Sequence, residues 1–350
     1  MIHVGLDLHH RNSYIRAVRD DETLLPGRRI YHSDMLELWQ YLAPFGDQPK
    51  RVVFEATSNA RWMMRFLQQD PTIEAVAVTP HKVRIIAETV AKTDKIDATV
   101  LAQLSRMNAL PRAWLPDGRV EELRELIRHR SALVQRRTQA KNRVNGVLVR
   151  DGRLRPYGTI FGPRGRRWLE EIDLPAVMRL QVEHWLENLD RYERQLKQVE
   201  ERMRTLLKRH GDWQAQVELL RSMPGVGLLT ALTILGELGD FRRFRSRGSV
   251  SSFAGLVPTS KRSDRSCRYG KISKRGSTEL RRILVEVSIN AVRRVPRYAE
   301  LYERLKRAKS GNVGKVAVAR QMLEDCWTML IKNEPFRMIP VQAESLTRAG

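Results

Sequence analysis

From Val177 to His210 the apolar residues keep a strict seven-residue period. Val182, Leu189, Leu196 and Met203 are seven apart, and Trp185, Tyr192, Val199 and Leu206 repeat the spacing with an offset of three. Such an a/d seam over four heptads demands a long helix with one continuous apolar stripe. A lone helix cannot keep that stripe from water. Its partner is either a second copy of the chain, giving a coiled coil, or the stretch at 117–150, giving a hairpin. There Val120, Leu123, Ile127, Val134 and Val144 lie among many Arg and Lys. The pattern alone fits both.

Residues 1–113 have a different texture and read as α/β. Ile2–Leu8, Tyr14–Val18 and Arg28–His32 are strand-like, and Ser33-Asp34 open a helix carrying Leu36, Leu38, Tyr41 and Leu42. Arg51–Phe54 and Ala75–Val78 are further strands. Helices are expected at Ala60–Leu67, 81–90 and 94–107. The order implies a mixed sheet with helices on its faces. Residues 151–167 are rich in Gly, Pro and Arg and read as a linker or a loop on a phosphate surface.

Residues 214–350 read as a second, mostly helical unit. Two helices flank Pro224-Gly225-Val226-Gly227, as in a helix-hairpin-helix, where Gly225 and Gly227 would admit a phosphate to the backbone. Between Phe241 and Arg297 there are 16 Lys and Arg against Asp264, Glu279 and Glu286. The tract TSKRSDRSCRYGKISKRG is too basic for a core and reads as a polar loop, followed by a helix capped by Ser277. The net charge of +23 calls for a polyanionic partner, with nucleic acid ahead of a membrane surface or an acidic protein. Cys267 and Cys326 are the only cysteines, which leaves no disulfide framework and no cysteine-based zinc site. With no long apolar run and no signal-like start, a cytoplasmic location is expected.

Four carboxylates stand out. Asp7 ends the run Val4-Gly5-Leu6, and Glu55 follows Val52-Val53-Phe54. Asp94 and Asp97, three apart at a helix start, fall on one helix face. Converging carboxylates repel unless a cation lies between them, and oxygen-only ligands favour Mg²⁺ or Mn²⁺. Taken singly each has a plainer role: Asp94 could cap its helix, Asp97 could favour the helix dipole, and Glu55 could be a surface residue. Their joint order is the more specific signal.

The segments VGLDLHHRNSYIRAV, VVFEATSNARWMMRFL and AKTDKIDATVLAQL resemble the DEDD transposases, which are related to the Piv and MooV DNA invertases and include bridge-RNA-guided recombinases. The segments MPGVGLLTALTILGELGD and FAGLVPTSKRSDRSCRYGKISKRGSTELRRIL resemble the same family, in the same order, out to about residue 330. The resemblance implies an RNase H-like (RuvC-like) domain at 1–113, a basic helix and linker at 114–165, a coiled coil at 166–213, and a helical transposase domain at 214–350.

It further implies that Asp7, Glu55, Asp94 and Asp97 bind Mg²⁺ and that a serine is the nucleophile. The family's serine stands seven residues before the glycine of the G-x-I-S-K segment, here Gly270, which designates Ser263. Asp264 stands where the family has glycine, so Ser266 and Ser260 are alternates and Cys267 a remote one. Lys261, Arg262, Arg265, Arg268, Lys271, Lys274 and Arg275 are the expected phosphate contacts. The implied partners are donor and target DNA, a noncoding bridge RNA, and further copies of the chain, a dimer becoming a tetramer. A Holliday-junction-type nuclease and an architectural nucleic-acid binder are the competing readings.

Overall fold

The computed structural model describes residues 1–87, 93–156, 158–263 and 266–338, with backbone alone at 84, 85, 87, 260–263 and 266–269. Within them the chain divides into two compact units, Met1–Leu115 and Pro116–Gly350.

The first unit is built on five strands: β1 (Ile2–Leu8), β2 (Asn12–Arg19), β3 (Arg28–Tyr31), β4 (Lys50–Glu55) and β5 (Ile73–Val78). Their order in the sheet is β3-β2-β1-β4-β5. The first three form an antiparallel meander, while β4 and β5 run parallel to β1. Four helices accompany them: α1 (Leu36–Leu42), α2 (Ala60–Leu67), α3 (Pro80–Ala87) and α4 (Asp94–Arg106).

Alternation along the strands decides which face each residue serves. Ile2, Val4, Leu6 and Leu8 of β1, with Val52 and Phe54 of β4, bury against Leu38 and Leu42 of α1 and Ala60, Met63 and Leu67 of α2. Val53 of β4 and Val76 and Val78 of β5 point the other way, into a cluster with Val83 of α3 and Leu101 and Leu104 of α4. The odd residues of β1 meet α4. His3 Nδ1 lies 2.9 Å from Ser105 Oγ. A Cβ on Gly5 would overlap the carbonyl oxygen of Ala98 and lie 2.8 Å from Ala102 N. The missing side chain at Gly5 is what lets α4 rest directly on the sheet.

In the second unit α5 (Gly118–Arg150) and α7 (Ala176–Lys208) are each 33 residues long. They pair antiparallel: Glu122 bonds Arg202, Arg130 bonds Glu200, and Arg150 bonds Gln181. The heptad seam lies in this pairing. Val182, Leu189, Leu196, Val199, Met203 and Leu206 are buried, while Trp185 and Tyr192 are half-buried. Of the two partners open to the stripe, the structure supplies the helix in the same chain.

The Gly/Pro/Arg-rich tract differs from the linker expected of it. Helix α6 (Pro163–Glu171) begins inside it, with Pro163 in the first turn. Its Leu169, with Ile160 ahead of it, closes the end of the hairpin against Val144, Val147, Leu148 and Val182. High arginine density hid this short amphipathic helix.

The remaining helices are α8 (Gly211–Arg221), α9 (Leu228–Leu238), α10 (Arg247–Phe253), α11 (Thr278–Val292), α12 (Pro296–Ala308) and α13 (Gly311–Lys332). Helix α9 is buried from Thr230 to Leu238. Arg124 of α5 reaches it, donating to the carbonyls of Gly236 and Glu237 at 2.7 and 2.6 Å. The basic tract is not the loop expected. Its backbone forms an antiparallel hairpin of β6 (Pro258–Ser263) and β7 (Ser266–Ile272). The Ser277 side chain then accepts from Leu280 N at 3.0 Å, capping α11 as the sequence suggested. Among the described residues no helix is long and apolar enough to cross a membrane.

Candidate functional site

The two central strands end in carboxylates on one sheet face. The register of β1 and β4 pairs Leu6 with Phe54, so Asp7 and Glu55 are the next residues along each strand. Both stand two positions after a residue facing α4, Gly5 and Val53 respectively, and so share that face. The N-terminus of α4 arrives at the same end. Its cap is Thr93, whose hydroxyl accepts from Ile96 N at 3.3 Å. The capping role conceivable for Asp94 is thus filled by its neighbour, and the Asp94 carboxylate is released for other contacts.

Asp7, His9 and Asp94 each offer a ligand atom within 4.8 Å of one another. His9 Nε2 lies 3.1 Å from Asp7 Oδ2 and 3.4 Å from Asp94 Oδ1. Arg29 of β3 donates to Asp94 Oδ2 at 2.8 Å and to Asn12 Oδ1 at 3.0 Å. His9 pairs with the buried Oδ2 of Asp7 at close range without the alignment of a good hydrogen bond, and no other described residue donates to that oxygen. Burial raises the Asp7 carboxyl above its ordinary value, His9 offsets part of that, and the negative charges of Asp97 and Asp94 add to the rise. For Asp94, burial also pushes upward, but the hydrogen bonds and charges of His9 and Arg29 prevail and hold it below the ordinary value.

A buried carboxylate oxygen facing further carboxylates suits a cation. The cluster can hold a metal ion, with Asp7 and Asp94 each offering an oxygen and His9 a ring nitrogen. Asp97 comes three residues after Asp94 on α4 and acts on Asp7 electrostatically.

Sequence reasoning missed His9, Arg29 and Gly5. The doublet His9-His10 directly after Asp7-Leu8 was the available signal for the first. Arg29 is remote in sequence and could be found only from the meander. The importance of Gly5 derives from the carboxylates, since a site made by strand and helix requires both backbones to come close.

The other expected residues lie in the second unit. The backbone of β6 and β7 pairs Ser263 with Ser266, Arg262 with Cys267, Lys261 with Arg268 and Ser260 with Tyr269. Asp264 and Arg265 lie outside the described residues. Lys271, Lys274 and Arg275 are exposed. Lys274 takes the left-handed conformation, φ 53°, just before Gly276. Gly225, φ +93°, sits against α11, where a Cβ would lie 3.1 Å from Ala291 N. Its lack of a side chain therefore serves helix packing. Gly227 precedes α9 with open space beside it. A cleft of about 390 Å³ runs past this turn and is lined also by Arg221, Asn290 and Arg294. Cys326 is buried, and burial pushes its thiol well up, so it is neither nucleophile nor ligand.

A mixed sheet with acidic residues at its central strand ends, joined to a mostly helical remainder, is consistent with a DEDD nuclease-like domain at the start of the chain. The IS110-type DEDD transposase profile matches residues 4–150, and that of the transposase IS116/IS110/IS902 family matches residues 217–303. The transposase for insertion sequence element IS1328 of Yersinia enterocolitica is 26% identical over 341 residues, covering 95% of this chain and 98% of that protein. The putative transposase y4qE of Sinorhizobium fredii is 29% identical over 215 residues, 61% of this chain, and the match spans only about half (51%) of that relative. The pilin gene-inverting protein of Moraxella bovis is 22% identical over 311 residues, 86% of each chain. The chain belongs to the IS110 family of transposases, enzymes that recombine DNA.

Proposed function

We propose that the chain cuts and rejoins insertion-sequence DNA through a serine–phosphodiester intermediate, using a Mg²⁺ site formed by Asp7, Glu55, Asp94 and Asp97. The observation that carries the reading is the buried Oδ2 of Asp7, to which no described residue gives an aligned hydrogen bond and whose carboxyl is raised by burial and by the facing charges of Asp97 and Asp94. Bound there, a divalent cation would polarise the scissile phosphate and favour the charge that develops on its oxygens. Arg29 fixes Asp94 and so keeps one wall of the site in place.

The serine of the reading is Ser263. Its Oγ attacks phosphorus, loses its proton, and displaces the deoxyribose oxygen, which leaves as a hydroxyl. The phosphoserine so formed retains the phosphodiester's energy, and a hydroxyl from a second strand reverses the step to rejoin DNA. Lys261, Arg262, Arg265, Arg268, Lys271, Lys274 and Arg275 are assigned to backbone phosphates. Support for this is the density of positive charge between Phe241 and Arg297. Gly227, with open space beside it, and the backbone at Gly225 are assigned to the same strand, the cleft beside them carrying Arg221 and Arg294.

A noncoding bridge RNA that pairs with donor and target belongs to the same reading, as does a dimer that becomes a tetramer on two DNAs. Support comes from the similarity to the family and from a net charge of +23, more than a short duplex contact needs. The test is recombination between donor and target plasmids. Asp7→Asn and Asp97→Asn are each expected to abolish joined product while leaving DNA binding in place. Undiminished product from either variant would overturn the metal site, and DNA cutting without covalent adduct would favour a junction nuclease.

A further inference from the structure

The atoms that the fold brings within ligating reach of one another are not all oxygen. Among the described residues the group consists of Asp7, His9 and Asp94, two carboxylate oxygens and one ring nitrogen. His9 Nε2 lies 3.1 Å from Asp7 Oδ2 and 3.4 Å from Asp94 Oδ1. Two ligands on neighbouring corners of an octahedron, each about 2.1 Å from the metal, stand about 3.0 Å apart. The nitrogen is therefore spaced from both oxygens much as a ligand sharing their cation is, to within a few tenths of an ångström that side chains can close.

Hydrogen bonds around the turn after β1 hold His9 in place. Its backbone N–H donates to the Asn12 carbonyl at 3.1 Å, and its own carbonyl accepts from Asn59 Nδ2 at 2.5 Å. The Asn12 side chain accepts from Arg29, and Arg29 also donates to Asp94 Oδ2 at 2.8 Å. Arg29 thereby engages one oxygen of Asp94, and the other, Oδ1, is the one that faces His9. Asn12 and Arg29 thus link the backbone of His9 to the carboxylate of Asp94. The His9 side chain is itself 49% exposed, so it contributes little to packing. His10 beside it is also exposed and supplies no atom to the group.

We propose that His9 Nε2 is a metal ligand and sets the metal preference of the site, widening the preference for Mn²⁺ over Mg²⁺ beyond what carboxylates alone give. The inference rests on the metal-site reading above and adds a nitrogen to its ligands. Carboxylate oxygens suit Mg²⁺ and Mn²⁺ alike. Imidazole nitrogen suits transition ions better, whereas Mg²⁺ gives up its water reluctantly and is held through oxygen. To ligate, Nε2 must present its lone pair, so the proton of the neutral ring sits on Nδ1.

The test uses the full-length chain with Mn²⁺ or Mg²⁺ alone, without DNA. Pulsed electron paramagnetic resonance of the Mn²⁺-loaded protein is expected to show coupling to a directly bound nitrogen, lost in His9→Ala and retained in His10→Ala. Calorimetric titration should find Mn²⁺ bound at least about 10-fold more weakly by His9→Ala, the loss usual even for a residue that only supports a ligand. Its affinity for Mg²⁺ should change much less. His9→Asp, which puts an oxygen in place of the nitrogen, should narrow the gap between the two ions. Mn²⁺ bound by the wild type without nitrogen coupling, or with equal affinity by wild type and His9→Ala, overturns the role of His9 and leaves the metal site standing. Failure of the wild type to bind either ion overturns the metal-site reading, and the role of His9 falls with it.

Discussion

Gly5 and Ala98 hold the first unit's strand and helix backbone to backbone. A Cβ at Gly5 would overlap the Ala98 carbonyl oxygen. Two residues further along β1 is Asp7, and in the turn of α4 just before Ala98 are Asp94 and Asp97. The close approach is therefore a condition for the carboxylates to meet. Gly5→Ala is expected to destabilise the fold by about 1–3 kcal/mol or more, because backbone rather than a flexible side chain must give way. It should also remove Mn²⁺ binding even where the variant remains folded. Denaturant unfolding and calorimetric titration of the same variant check both.

Metal binding should register as stability. At 100 times its Kd a ligand specific to the folded state adds about 2.7 kcal/mol. Mg²⁺ or Mn²⁺ is therefore expected to raise the wild-type melting temperature by several degrees, and to leave Asp7→Asn unmoved. A scan with and without the metal distinguishes this from general ionic effects if Ca²⁺ and a monovalent salt at matched ionic strength are included.

The pH dependence of the metal-free protein has a defined sign. The folded-state pKa of Asp7 is raised, so its contribution to stability is fully present below the ordinary value of 3.8 and is lost as pH climbs through the raised value. Asp94 is lowered and behaves oppositely: its contribution is present above 3.8 and is lost as pH falls through the lowered value. Asp7→Asn removes the first loss. Without metal, the variant should melt above wild type at neutral pH by a few degrees, and the difference should close as pH drops towards 4. Melting curves across that range test it.

The α5–α7 pairing predicts an internal hairpin. Leu189 lies fully buried in the seam, and Leu189→Ala should cost about 2–5 kcal/mol. Because its stripe is covered from within the chain, the substitution should leave the oligomeric mass unaltered. Unfolding curves at two protein concentrations, with light scattering, separate this from a seam shared between copies.

Much of the first unit was legible because its signals are local. β1 and α2 fall at the residues that apolar runs suggested, Ile2–Leu8 and Ala60–Leu67, and the other four strands of this sheet differ by one or two residues at one end or both. Asp7 and Asp94, which the structure brings together, could be picked out because a strand end and a helix start are sequence properties. Their companions could not. His9 reaches the site from the β1–β2 turn and Arg29 through the pairing of β3 with β2, and no periodicity carries either placement. The basic tract failed for another reason: charge masks strand propensity, and the β6–β7 register rests on backbone pairing that side-chain pattern does not announce. The heptad stripe named its helix but not its partner, since a seam of Leu and Val is equally satisfied by either.

Metal-dependent cutting through a serine is the central claim, and the covalent adduct tests it most directly. Donor DNA incubated with the protein and Mg²⁺, quenched with denaturant and digested, should yield a peptide with a nucleotide esterified to Ser263. The adduct should be absent in Ser263→Ala and in Asp7→Asn. Ser263→Ala that still cuts DNA with Mg²⁺, and wild type that cuts without any serine adduct, would contradict it.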